Sequence, residues 1–193
     1  MASQSETDIG YLHEVTIGDP VPLREPIEIR DYDPVWPQTY ARLRDDIRRV
    51  LRKGALDIAH VGSTSVPGLA AKPIIDIDLT VADPGDEDAY VPALETLDYR
   101  LRIREPQWHE HRLLKLDEPQ VHLHVFGPDA EPAHLHRAFR DRLRASSKDR
   151  QLYADTKREL AQQNWTYMQE YADAKTTVVN HILANATDRG TRD

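Results

Sequence analysis

Cysteine is absent from the 193 residues of this chain. Its absence excludes disulfides, thiolate nucleophiles, iron–sulfur clusters and zinc sites built on cysteine. Long apolar runs are absent as well, because no stretch approaches the about 18 consecutive apolar residues that a transmembrane helix needs. The start of the sequence contains neither the basic segment nor the apolar core of a secretory signal. We therefore expect a cytoplasmic protein.

An excess of positive charge is also missing. Lysine and arginine together number 25 against 33 aspartates and glutamates, which gives a formal net charge of −8. So acidic a chain has no general attraction for nucleic acid or for an anionic membrane. We expect its partners to be small molecules, and the sequence gives no indication of the oligomeric state.

The chain divides into four stretches by composition and periodicity. Residues 1–26 are polar and contain several prolines near their end, which predicts a flexible arm. Residues 27–130 combine strand and helix patterns, residues 131–186 are helical in character, and residues 187–193 form a short tail. The order predicts an α+β fold, in which a mixed sheet is flanked by helices and a C-terminal helical segment covers it.

Periodicity also predicts the individual elements. Apolar residues at helical spacing predict helices over 37–53 and 86–97, and three more in the C-terminal segment, the last near 166–186. Gly54 is placed to end the first of them. Alternating or β-branched patterns predict six strands, at 27–32, 56–61, 74–81, 99–104, 111–116 and 121–126.

Two aspartates stand in the segment that is most typical of a strand. Side chains at i and i+2 of a strand share one face, so the carboxylates of Asp76 and Asp78 lie side by side. Ile75, Ile77 and Leu79 then pack on the opposite face. Paired carboxylates repel each other, and a hard divalent cation such as Mg²⁺ relieves the repulsion. The alternative is that both carboxylates face water on a half-exposed sheet.

A turn of small residues precedes this strand. Gly62 and Ser63 follow the strand predicted at 56–61, and such a turn lets backbone N–H groups and a hydroxyl approach a phosphate closely. A Gly-Ser pair after a strand is by itself an ordinary turn. With Asp76 and Asp78 on the next strand, the combination resembles the polymerase-β-like nucleotidyltransferase superfamily.

Histidine is frequent, with nine residues, several of them in His-x-His pairs. His122 and His124 lie on a predicted strand, where both imidazoles share one face and can bind a metal ion. His134 and His136 lie at the start of a predicted helix, where at most one of them points inward. We expect that second pair, and His109, to be solvated.

Three stretches of the sequence resemble the GrpB family. The longest runs from His60 to Ile77 and contains the Gly-Ser turn and the first aspartate. The second is Val121–Phe126, and the third is distributed over residues 139–161. The resemblance covers roughly residues 27–186. Members of this family are regarded as nucleotidyltransferase-fold proteins, and they occur alone or fused to dephospho-CoA kinase.

The resemblance implies a site for a nucleotide and a metal ion. Gly62 and Ser63 would cradle phosphates, and Asp76 and Asp78 would be catalytic ligands of Mg²⁺. Lys72, just before the second strand of the motif, is placed to contact a triphosphate, and a solvated lysine is the alternative.

Further cations lie in the helical segment. Superfamily members often place a cation of this segment on the nucleotide, and Lys175 is the candidate here. The remaining ones are interpreted as solvated or as paired with nearby carboxylates: Arg137, Arg140, Arg144 and Lys157.

The sequence departs from the superfamily pattern at one point. Superfamily enzymes commonly supply a third carboxylate from a neighbouring strand, where this chain offers His122 and His124. An imidazole there can bind Mn²⁺ or Zn²⁺, act as a general base, or mark a site that binds nucleotide without transferring it. Both histidines are therefore candidate catalytic residues.

The expected function is transfer of a nucleotidyl group from a nucleoside triphosphate to a small-molecule acceptor, with a divalent metal. One alternative is a catalytically degenerate nucleotide-binding module. Another is a His/Asp site for a transition metal with hydrolytic chemistry. Because the two aspartates are expected to repel each other, neutralising either one is predicted to leave the fold intact or slightly more stable.

Overall fold

A five-stranded mixed sheet forms the centre of the computed structural model, which describes residues 9–187. Its strands are β1 (Asp57–Val61), β2 (Ile75–Thr80), β3 (Arg100–Glu105), β4 (His111–Leu116) and β5 (Val121–Phe126), in the spatial order β1-β2-β5-β4-β3. β2 and β5 are parallel, and the other neighbours are antiparallel. The predicted α+β class with a mixed sheet is confirmed.

Seven helices surround this sheet in the described part of the chain. They are α1 (Ile9–Val15), α2 (Trp36–Leu51), α3 (Val91–Glu95), α4 (Glu131–Ala145), α5 (Ser147–Ala161), α6 (Met168–Ala174) and α7 (Thr176–Thr187). None of the described helices combines the length and the apolar character needed to cross a membrane.

The two faces of the sheet differ in chemistry. Ile75, Ile77 and Leu79 of β2 are almost fully buried on one face, where they pack with residues of α2 and α3. In α2, Leu43 and Ile47 recur one helical turn apart and complete this core. Truncating Ile77 to alanine would cost about 2–5 kcal/mol at so closely packed a position. The apolar face thus holds the sheet rigid, and the opposite face is left to carry polar side chains.

The described N-terminal residues do not form the loose arm predicted for residues 1–26. α1 packs near β3 with Val15 buried, and Thr16 forms an antiparallel bridge with Ile103. β3 is an edge strand, and its unpaired backbone groups need partners. β3 lies far from this segment in the sequence, so local composition could not indicate the pairing between them.

The segment after α1 is anchored at two points. The backbone N–H of Ile17 donates to the carbonyl oxygen of Arg102 at 2.8 Å, and that of Leu23 donates to the carbonyl oxygen of Thr166 at 2.9 Å. We call residues 9–25 the N-terminal strap, because they connect the β3 edge with the C-terminal helices. The first eight residues of the predicted arm, and the predicted tail beyond Thr187, lie outside the described residues.

Two predicted elements are shorter than expected. The strand predicted at 27–32 is reduced to one bridge between Arg30 and Ala71, because Pro73 has no N–H with which to extend the pairing. The helix predicted over 86–97 is a 3-10 turn at Glu87–Ala89 followed by α3. Pro92 lies at the start of α3 and cannot donate to a preceding turn.

Two helix ends also differ from the prediction. The helix predicted near 166–186 is divided into α6 and α7 at Lys175, just before a run of β-branched residues at 176–179 that weakens helical continuity. α2 ends at Leu51, where it is followed by Arg52 with a positive φ of 51°, and does not extend to Gly54.

Candidate active site

The polar face of the sheet brings the predicted aspartates and histidines together. Asp76 and Asp78 point to the same side of β2, away from the apolar core. The parallel register places His122 beside Asp76 and His124 beside Asp78 on β5. Asp76 is 28% exposed, whereas the side chain of Asp78 is only 1% exposed. The two carboxylates therefore share a face but not an environment.

The turn after β1 touches the first of these aspartates. Gly62 has φ +66° and ψ −172°, a conformation that is essentially restricted to glycine. A Cβ atom on Gly62 would lie 2.2 Å from Oδ2 of Asp76, closer than any real contact. A residue without a side chain is thus required on both counts, and the Gly62-Ser63 turn lies directly against Asp76.

Hydrogen bonds from α4 hold this turn in place. Arg140 donates to the carbonyl oxygen of His60 at 3.0 Å, and Arg144 donates to that of Ser65 at 2.7 Å. Within the turn, the Ser65 hydroxyl donates to the carbonyl oxygen of Gly62 at 2.6 Å. Arg140 and Arg144 therefore bind the backbone of the turn, in addition to pairing with Asp141 as the sequence interpretation had it.

Lys157 is a site residue that the sequence interpretation missed. It was expected to be solvated or paired with a carboxylate, yet it is only 3% exposed. Its Nζ donates to Oγ of Ser63 at 3.0 Å and to the carbonyl oxygen of Ala70, and it lies over the ring of Tyr153. Burial, with a smaller contribution from Lys175, lowers the pKa of Lys157 to about 7.

A signal for Lys157 exists in the sequence. Tyr153, Ala154 and Lys157 follow the spacing of a single helix face, and the first two are apolar and buried. A lysine on the apolar face of an amphipathic helix needs a specific partner inside the protein. Here that partner is the Gly62-Ser63 turn.

The two predicted lysines also reach this region. Lys72 donates to Sδ of Met168 at 2.7 Å, and Nζ of both Lys72 and Lys175 lies within 5.0 Å of the Tyr171 ring centroid. Burial, followed by repulsion from Lys175, lowers the pKa of Lys72 to about 8. Burial likewise lowers the pKa of Lys175. Like charges are thus concentrated where an anion would neutralise them.

Asp76 lies in the positive field of these lysines. Burial acts to raise its pKa, but a hydrogen bond from His122 and the charges of Lys72 and Lys175 outweigh burial and lower it. Nδ1 of His122 is 3.4 Å from Oδ1 of Asp76. The charged form of this carboxylate is therefore favoured by Lys72 and Lys175, which the expectation of repulsion between paired aspartates did not take into account.

Asp78 is covered by a histidine that was expected to be solvated. Nδ1 of His136 lies 3.0 and 3.1 Å from the two carboxylate oxygens of Asp78. Burial would lower the pKa of His136, but the Asp78 carboxylate raises it above the usual value. The sequence signal for this position of His136 was its helical spacing with Ala133 and Leu143, which form the inner face of α4. His134 is exposed as expected.

A cavity of about 740 Å³ lies between the polar face of the sheet and the C-terminal helices. The N-terminal strap and Trp108, which is 42% exposed, contribute apolar side chains to the cavity wall. Asp78 is not among the described residues that line the cavity. The charged and polar side chains that reach the cavity include Ser63, Lys72, Asp76, Lys115, His122, His124, His136, Lys157 and Lys175.

The described side chains around the cavity do not form a metal site by themselves. Within residues 9–187, no three His, Asp or Glu side chains are grouped so as to hold a metal ion among themselves. Mg²⁺ is commonly bound by one or two carboxylates together with substrate phosphates, so it does not need such a group. Asp76 at the cavity wall, with Asp78 behind it, is compatible with a magnesium site whose remaining ligands come from elsewhere.

The mixed sheet agrees with the α+β fold predicted from the sequence, and comparisons with known proteins give the family. The family described as GrpB protein matches residues 26–185. The chain belongs to this family, and the resemblance inferred from its motifs is confirmed.

Individual relatives agree with this membership. A UPF0157 protein of Halalkalibacterium halodurans is 51% identical over 178 residues, with 91% of each chain covered. A UPF0157 protein of Streptomyces coelicolor is 46% identical over 172 residues, with 88% of each chain covered. The crystal structure of the conserved protein GrpB from Enterococcus faecalis has a TM-score of 0.74 at 28% identity, and covers 84% of this chain and 99% of that one.

Proposed function

We propose that this protein is a metal-dependent nucleotidyltransferase that acts on a small-molecule acceptor. The observation that supports this most is the convergence of Asp76, the Gly62-Ser63 turn and Lys157 on one wall of the cavity. A turn with exposed backbone and buried ammonium groups is suited to a polyphosphate, and a carboxylate beside it is suited to the accompanying cation.

Each group has a defined task in this proposal. The Gly62-Ser63 turn and Lys157 hold the phosphate chain, while Lys72 and Lys175 approach it from the helical side. Holding the triphosphate in line with an acceptor supplies much of the rate enhancement. Asp76 and Asp78 would hold Mg²⁺, which neutralises charge on the phosphates when bound.

A second candidate function is nucleotide binding without transfer. It is favoured by the His136 side chain, which engages both oxygens of Asp78, and by the absence of a third carboxylate beside Asp76 on β5. The hydrolytic transition-metal site is supported less, since the described residues contain no group of three metal-binding side chains.

Thermal melting tests nucleotide binding first. The chain is melted with ATP, GTP, CTP or UTP, each with and without Mg²⁺. A ligand at about 100 times its dissociation constant stabilises the fold by about 2.7 kcal/mol, which raises the midpoint of a domain of this size by about 5–10 °C. A shift that requires both nucleotide and Mg²⁺ supports the proposal, and no shift with any of the four overturns it.

Transfer is tested next with the nucleotide that binds. The α-phosphate is radiolabelled, and labelled products are separated after incubation with Mg²⁺ and a small-molecule cell extract. Lys157→Met should abolish binding and transfer, whereas Lys148→Met, on the exposed face of the same helix, should change neither. A midpoint shift without any labelled product would favour the binding module over the transferase.

A further inference from the structure

A hydrogen-bonded chain crosses the sheet from its β3 edge towards the cavity. Oε2 of Glu105 on β3 is 2.6 Å from Nδ1 of His111 on β4, and Nε2 of His111 is 3.1 Å from Nδ1 of His124 on β5. The hydroxyl of Tyr11 donates to the other oxygen of Glu105 at 2.7 Å. None of these contacts involves the Gly62-Ser63 turn, Asp76 or Lys157.

Stacking keeps the chain rigid. The ring of His111 lies nearly parallel to that of His124, with centroids 5.2 Å apart, and to that of Phe126 at 4.8 Å. Trp108 meets the His111 ring edge-on at 5.3 Å. The side chain of His111 is only 5% exposed. An imidazole packed in this way cannot turn to exchange its two nitrogens, so the hydrogen bonds decide where its proton lies.

The direction of each hydrogen bond in this chain follows from the Glu105 carboxylate at one end. An ionised Glu105 can only accept, so the Nδ1 atom of His111 carries a proton. With one proton on each ring, the Nε2 atom of His111 accepts from Nδ1–H of His124. The Nε2 atom of His124 then keeps its lone pair. Among the described residues, no hydrogen bond is made to that nitrogen, and His124 lines the cavity.

We propose that Glu105 and His111 fix His124 in the tautomer whose bare Nε2 faces the cavity, where it removes a proton from the acceptor. This inference rests on the proposed function and names its substrate class. The acceptor is a neutral hydroxyl or amine that must lose a proton to attack. A phosphate or carboxylate acceptor, already anionic, would not need such a base.

The step balances as a single displacement. The acceptor oxygen or nitrogen forms a bond to the α-phosphorus of the triphosphate, and its proton passes to Nε2 of His124. The bond between the α-phosphorus and the bridging oxygen breaks, and pyrophosphate leaves with that electron pair. Burial is the largest cause that lowers the pKa of His124 well below its usual value.

The surroundings of His124 are otherwise cationic or neutral. His122 lies on the same strand, Lys115 on β4, and His136 on α4, with the ring centroid of His136 5.5 Å away. Among the described residues, no carboxylate forms a hydrogen bond or an ion pair with the His124 ring. Glu105 therefore acts on His124 only through His111, and both are positioning residues.

Nuclear magnetic resonance tests the tautomer without any need for activity. Long-range ¹H–¹⁵N spectra of the full chain, with His124 assigned by its absence in His124→Gln, report which ring nitrogen is protonated. We expect a proton on Nδ1 of His124 in the wild type and loss of this fixed state in His111→Phe. A proton on Nε2 in the wild type would overturn the proposal even if transfer activity is found.

Activity tests the consequence. Transfer of the α-phosphate of the nucleotide that binds is measured with water, glycerol or ethanolamine as acceptor, and with inorganic phosphate or acetate. Glu105→Gln and His124→Gln should lower kcat for the neutral acceptors at least tenfold and leave the Mg²⁺-nucleotide melting shift unchanged. Glu95→Gln, an exposed carboxylate on α3, serves as the matched control.

The two failures can be told apart. If wild type transfers nucleotide but both variants match it, the histidine chain has no part in proton removal and the inference is wrong. If wild type shows neither a melting shift nor transfer, the proposed function fails instead, and the tautomer result stands on its own. Variants that lose transfer to inorganic phosphate or acetate, but keep transfer to the neutral acceptors, would also contradict the inference.

Discussion

Single residues in this site are constrained by space as much as by chemistry. Gly62→Ala should lower stability by about 1–3 kcal/mol through its backbone conformation alone. Contact with Asp76 adds to that cost, because the new methyl group would overlap a strand side chain. Denaturant unfolding measures the loss, and binding of Mg²⁺-nucleotide should disappear with it.

Gly68 separates the two causes. It also has a positive φ, +76°, but a Cβ there would have no heavy atom within 4 Å. Gly68→Ala should therefore show the backbone cost without the contact cost. Equal stability losses in the two variants would mean that the approach of Gly62 to Asp76 is unimportant.

Asp78 should behave differently from the prediction made on repulsion. Asp78→Asn removes the charged partner of His136 inside the protein, and a loss of about 1–3 kcal/mol is expected instead of a gain. The raised pKa of His136 means that its contribution is full below about pH 6.5 and fades as pH rises through the raised value. The stability gap between wild type and Asp78→Asn should accordingly be larger at pH 6 than at pH 9, as urea unfolding at both pH values would show.

At the scale of elements, the strap is attached in part through backbone hydrogen bonds. Ile17→Pro removes the N–H that bonds to Arg102, whereas Ile17→Ala retains it. We expect faster hydrogen exchange and faster proteolysis within residues 9–25 in the proline variant only, with little change in the global midpoint. Equal protection in both variants would show that side-chain packing holds the strap.

Prediction of these elements succeeded where the signal was local. The alternation of Ile75, Ile77 and Leu79 with aspartates predicted β2, and the spacing of Leu43 and Ile47 predicted α2. The strap pairs with a strand distant in sequence, so its structure depends on information that local periodicity does not contain.

In the candidate site, the residues that belong to local sequence motifs were likewise predicted, whereas those that depend on distant partners were not. Gly62, Asp76 and His122 belong to motifs, and Asp76 lies close to the other two. The positions of Lys157 and His136 depend on buried partners that other elements supply. Lys157 was expected to be solvated or paired with a carboxylate, and His136 was expected to be solvated.

At the scale of the whole molecule, negative charge lies outside while lysines converge inside. Binding of Mg²⁺-nucleotide near pH 8 should take up protons, because the anion raises the lowered pKa values of Lys72 and Lys157. Isothermal calorimetry in buffers of different ionisation enthalpy measures the uptake. Proton release, or no dependence on buffer, would contradict a phosphate site at these lysines.

The same distribution separates a nucleotide from a polynucleotide. With a net charge of −8, the chain should not bind a short single-stranded oligonucleotide at physiological salt, whereas binding of the mononucleotide is expected. Fluorescence anisotropy of a labelled oligonucleotide gives the answer. Tight oligonucleotide binding would indicate that the acceptor is the end of a nucleic acid and not a small molecule.

The strap makes the shape of the cavity depend on a segment that lies outside the sequence motifs. It contributes Leu12, Thr16 and Val21 to the cavity wall, whereas the Gly62-Ser63 turn and the aspartates lie at the end of β1 and on β2. A substitution in the strap can therefore alter the cavity wall while the turn and the aspartates stay in place. The fit of a ligand can thus be changed without any change in those residues.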